Sequence, residues 1–177
     1  MVHSKRLTSL MGQIIFITMI LPSFPPADEL SGARPATRSA LVALVLLYTG
    51  LTTVGWVRIN RRSPHLLNVY FAAALGLVTV INLAIASISA EGSSSGLMVM
   101  VPVLQSAILR PRTRWVIALL ALLGFATANL VFGSFALALE HTFALSFGAI
   151  GFSFVGSVIV SEEKARQEAD RLVGELD

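Results

Sequence analysis

The apolar positions of this chain fall in long blocks, not at the alternating or one-in-three spacing of half-buried elements. Read from charge to charge, the blocks are Leu7 to Leu21, Ala40 to Val57, Leu66 to Ile88, Gly96 to Leu109, and one run from Trp115 to Val160. As a single helix rising ~1.5 Å per residue, the last run would extend more than twice the ~30 Å hydrocarbon thickness of a bilayer, so it must reverse. The turn-prone or charged places near its middle are Gly133-Ser134 and Glu140-His141, and the reversal is expected between them. The pattern therefore predicts six transmembrane helices, the fifth starting at Trp115 and the sixth ending near Val160.

Composition points the same way. Of 177 residues, 55% are hydrophobic and 13% charged, with a mean hydropathy of +0.78, where soluble domains carry about 25% charge. The expected class is an all-α polytopic membrane protein whose first partner is the lipid bilayer. With no cysteine, disulfides and thiolate chemistry are excluded. The net charge of +3 and a pI near 10.0 raise the question of nucleic acid. That partner is rejected, because basic residues in a membrane protein first encode orientation.

The basic residues sort by loop. His3, Lys5 and Arg6 precede the first span, Arg58, Arg61 and Arg62 follow the second, Arg110, Arg112 and Arg114 follow the fourth, and Lys164, Arg166 and Arg171 follow the sixth. The other loops hold only Arg34 and Arg38 beside Asp28, Glu29, Glu91 and Glu140. The positive-inside rule then places both termini in the cytoplasm of a multi-pass protein of the inner (plasma) membrane. A secretory signal peptide is the rival reading of the first span, although Pro22, Pro25 and Pro26 spoil the nearest cleavage positions. Leu7 to Leu21 and Gly96 to Leu109 span only ~21 to 23 Å as helices, which raises the prospect of an outward-facing dent capped by the loop from Pro22 to Thr37.

The spans carry no ionisable side chain away from their ends, which argues against proton relays and voltage sensing. Gln13, Tyr48, Asn82, Gln105 and Asn129 are among their amide and phenol groups. As structural groups these make interhelical hydrogen bonds worth about 0.6 kcal/mol each. As a ligand site, Gln105, three residues after Pro102, lines a pocket where the proline frees a backbone carbonyl, with Asn82 and Tyr48 as further contacts. Ala72 with Gly76, Gly124 with Ala128, and Ala149 with Ser153 have the four-residue spacing of close helix packing. His141 beside Glu140, expected in a short external turn, lacks the further ligands of a metal site. No metal or cofactor is implied.

After Val160 the composition changes abruptly to SEEKARQEADRLVGELD, strongly helical sequence with no loop before it. The expected domains are thus 1–160, a six-span transmembrane region, and 161–177, a cytoplasmic helix. Ala165, Ala169, Leu172 and Leu176 follow the four-three rhythm of a coiled coil. Glu162 with Arg166, Lys164 with Glu168, and Arg166 with Asp170 stand at i,i+4 around them. A solvated amphipathic tail would show the same charges. Helix without a break is expected through Ser161 to at least Leu172.

At this exit helix the chain resembles the N-terminal sensor region of bacterial sensor histidine kinases, particularly those paired with LuxR-type response regulators, through six spans, short loops and the ARxEAxRLxxEL rhythm of residues 165–176. The resemblance implies a sensory input and homodimerisation module feeding a downstream kinase domain. Membrane-bound adenylate and diguanylate cyclases have similar exit helices, and a small transporter component is the alternative from another class. In the resembled family the phosphoacceptor histidine and the ATP-binding domain lie beyond the coiled coil, and His3, His65 and His141 match no such motif. The chain is accordingly expected to be the input half of a signalling protein, with no catalytic residues of its own.

Overall fold

Prolines and short polar links set where the helices begin and end. A computed structural model describes residues 33–56, 64–89, 96–110 and 112–176, all of them helix or connecting turn. α1 spans Pro35–Gly50 and runs directly into a π-helical turn, Leu51–Gly55. Pro35 sits at the first helical position, where its missing N–H costs nothing, and Arg34 before it is held extended at ψ 143. α2 is Pro64–Ala86, α3 is Gly96–Leu109, α4 is Arg114–Phe132, and α5 is Phe135–Leu176. Among the described residues four stretches, Pro35–Gly55, His65–Ala86, Arg114–Phe132 and Phe135–Val173, are long and apolar enough to cross a membrane.

Three boundaries differ from the charge-to-charge reading. α1 begins five residues before Ala40, because Arg38 joins its first turn and donates from Nε to Ala33 O at 3.0 Å. α2 stops at Ala86, and Ser87-Ile88 form a turn. The reversal expected between Gly133-Ser134 and Glu140-His141 falls at the first edge of that interval, at Gly133-Ser134. There the Gly133 N–H donates to Asn129 O and closes α4, while Ser134 Oγ accepts from the Leu137 N–H and caps α5. Glu140 and His141 consequently lie inside α5 instead of in an external turn. The first expected span, Leu7 to Leu21, lies outside the described residues.

The short helix is the centre of the molecule. From Gly96 to Ala107, every residue of α3 except Leu97 is buried, and α2, α4 and α5 all pack against it. A helix apolar on all sides belongs in such a position. At 14 residues, ~21 Å long, it falls short of a span, but its flanks face protein along most of their length.

Glycines permit close approaches between helices, one of them to α3. A Cβ on Gly156 of α5 would collide with Ala107 of α3, and one on Gly124 of α4 would lie 2.5 Å from Thr79 Oγ1 of α2. The Gly124/Ala128 and Ala149/Ser153 pairs thus lie on packing seams, with Ala128, Ala149 and Ser153 buried. Ala72 and Gly76 are exposed, and nothing lies within 4 Å of a Cβ on Gly76.

The outside is as apolar as the core. Leu66, Val69, Val80, Leu119, Leu123, Leu130, Phe143, Phe147, Ile150 and Phe154 all point outward. Exposed apolar surface this continuous is foreign to soluble monomers and suits contact with lipid chains. The fold is that of an all-helical protein compatible with residence in a membrane.

Candidate functional site

Several polar groups within the bundle meet where α1 and its π turn face α3. Pro102 lacks an N–H, so the carbonyl four residues earlier, Met98 O, loses its helical donor. Tyr48 of α1, fully buried, fills the gap by donating its hydroxyl to Met98 O at 2.7 Å. One turn further along α1, the Thr52 and Thr53 hydroxyls donate back to Tyr48 O and Thr49 O at 2.8 and 2.6 Å. Such back-bonding loosens the regular ladder, and here it accompanies the π turn.

The Thr52 carbonyl of that turn accepts from Gln105 Nε2 of α3 at 2.9 Å. Gln105 Oε1 in turn accepts the hydroxyl of Tyr70 from α2 at 2.5 Å. Gln105 and Thr52 are fully buried and Tyr70 nearly so. Three helices are thereby tied by one amide at a point where water cannot supply replacement partners. The arrangement satisfies the donors and acceptors it buries, as a dry interior requires.

Of the four residues singled out as ligand contacts, the structure brings Tyr48, Pro102 and Gln105 to this one interface. Asn82 is elsewhere. It lies three turns, ~18 Å, along α2 from Tyr70, and it donates to Val78 O of its own helix at 2.8 Å. Tyr70 and Thr52 were not singled out from the sequence. The signal for Tyr70 was present, since a phenol inside an apolar span must find an acceptor. Nothing local marks Thr52, because its contribution is a backbone carbonyl.

The exit helix is the second feature. α5 is 42 residues long, or ~63 Å, about twice a bilayer core. Ala149, Ser153 and Gly156 are buried on the bundle side, whereas every described side chain from Ser161 to Glu175 is exposed. Ala165, Ala169 and Leu172 are exposed, and the Leu176 side chain lies outside the described residues. Arg166 pairs with Glu162 at 2.5 Å. The expected Lys164–Glu168 and Arg166–Asp170 pairs are replaced by Arg171 with Glu168 at 2.9 Å and with Glu175 at 3.6 Å.

His141 occupies the second turn of α5 with Nδ1 buried and lacking a protein partner. Among the described residues no three His, Cys, Asp or Glu side chains gather as a metal site would require. No protein-family model, curated protein or solved structure matches the chain.

Proposed function

We propose that this chain is a membrane-embedded sensory input and dimerisation module, which relays a bilayer or small-molecule stimulus through the helix after its last span to a downstream kinase domain. One observation carries the reading: a single helix without a break includes residues packed against α3 and α4 and 15 or so residues standing clear of the bundle. A rigid rod of this kind transmits rotation or sliding of its packed part to its free end. In this reading the chain has six spans, both termini lie in the cytoplasm, and two copies pair in parallel through Ala165, Ala169, Leu172 and Leu176.

The Tyr48, Pro102, Gln105 and Tyr70 cluster is the natural point of input. A hydrophobic ligand with one acceptor or donor could exchange with a tyrosine there and shift α1 or α2 against α3. Such a ligand needs only a few kcal/mol of differential binding to bias a two-state element. A cyclase would use the same exit helix.

Disulfide scanning of the full chain in native membranes, with single cysteines from Val160 to Leu176, tests the relay. Cross-linking should peak at 165, 169, 172 and 176. Uniformly weak cross-linking, or a maximum on the Arg166, Asp170 and Val173 face, removes the pairing and with it the signalling-helix reading.

A further inference from the structure

Positive charge is concentrated at one end of the α4–α5 pair. Arg110, Arg112 and Arg114 fall within five positions at the α3–α4 link, and the first turn of α4 carries no acidic residue. Arg114 is held in place from two sides. Its Nη1 donates to Ser157 Oγ of α5, and its guanidinium lies 5.2 Å from the centre of the Trp115 ring. Its Nε is buried without a protein acceptor. Arg112 is exposed. Among the described residues neither Arg112 nor Arg114 is ion-paired with a carboxylate, whereas Arg166 and Arg171 are.

The depth of this cluster is set by its neighbours. Ser157 lies four residues before Ser161, where the apolar part of α5 gives way to its polar part. Trp115 and Val116 are half exposed beside it, as expected of an aromatic side chain at a bilayer surface. A part-buried guanidinium without a counter-charge is costly at that level. The anions abundant at that level are lipid phosphates, and a planar guanidinium matches phosphate oxygens through parallel N–H donors.

We infer that Arg112 and Arg114, with Trp115 beside them, form a binding site for the phosphate of an anionic phospholipid headgroup. Arg114 supplies the oriented fork, because Ser157 and the Trp115 ring restrict its rotamers. Arg112 supplies a mobile second charge. Because Arg114 also holds Ser157, the headgroup is bound next to the point where α5 leaves the apolar layer. The inference rests on the bilayer setting of the exposed apolar helices and not on the sensory role.

The chain has two tryptophans, Trp56 and Trp115, so Trp56→Phe leaves Trp115 as the sole reporter. The full chain carrying this change is placed in phosphatidylcholine vesicles containing either brominated phosphatidylglycerol or brominated phosphatidylcholine. Brominated phosphatidylglycerol should quench Trp115 with an apparent affinity above that of brominated phosphatidylcholine by roughly fivefold per arginine engaged. The preference should weaken in high salt, and R112Q/R114Q should bring the ratio to about one. If that variant inserts poorly, R112Q alone, which alters an exposed side chain, should lower the preference several-fold. Equal quenching by the two lipids, or a preference unmoved by R112Q, overturns the site. Displacement of the lipid by millimolar inorganic phosphate would show that the site takes free phosphate and overturns the lipid assignment. A failed cross-linking scan of α5 would leave this measurement untouched, so the two readings fail separately.

Discussion

Tyr48 and Pro102 act as one unit. The proline removes a donor from Met98 O, and the phenol on a neighbouring helix replaces it at 2.7 Å. Tyr48→Phe should therefore destabilise the chain by about 1 to 3 kcal/mol, the cost of an orphaned buried carbonyl. In a Pro102→Ala background the new N–H at position 102 can reach Met98 O, and the same Tyr48→Phe change should cost less. A double-mutant cycle from unfolding in mixed micelles checks this, and strict additivity of the two changes would contradict the arrangement. Gln105→Leu leaves both the Tyr70 hydroxyl and the Thr52 carbonyl without partners and should cost about 1 to 3 kcal/mol. The Tyr70–Gln105 coupling itself should be smaller, about 0.6 kcal/mol, since unfolded segments in a membrane also find partners.

At the scale of elements, small residues sort into those that seat one helix on another and those that do not. Gly156 lies against Ala107, where an added methyl has no space. Gly156→Ala should destabilise by about 1 to 3 kcal/mol through overpacking of α5 on α3. Gly76 faces open space, so Gly76→Ala should be neutral or stabilising by up to about 1 kcal/mol, the ordinary helix-propensity gain. The pair of measurements separates packing from propensity on the same assay. The four-residue small-residue spacing occurs on both helices, so spacing alone did not tell the two sites apart.

For the whole molecule, orientation is the first testable property. Both termini and the Arg-rich α3–α4 link are proposed to face the cytoplasm, with the Gly133-Ser134 reversal outside. In intact cells a membrane-impermeant maleimide should label Ser134→Cys, and Thr113→Cys should react only after permeabilisation. The opposite pattern would reverse the topology, and labelling of both from outside would remove the span between them.

Much of this organisation was legible in the chain because it is local. Block length against bilayer thickness located α1, α2, α3 and the α4–α5 pair, and it confined the reversal to the interval from Gly133-Ser134 to Glu140-His141 without choosing a place within it. The stretch after Val160, with no breaker before Gly174, carried the continuity of α5, because helix propensity and the absence of a turn signal act over neighbouring residues. Tertiary structure alone decided the rest. These helices are apolar on every side, so no hydrophobic face indicated that α3 is central or that Ala72 and Gly76 look outward. A buried amide such as Gln105 declares only that it needs partners. Its pairing with a phenol on α2 and a backbone carbonyl on α1 follows from which helices become neighbours, and that is a property of the packed bundle.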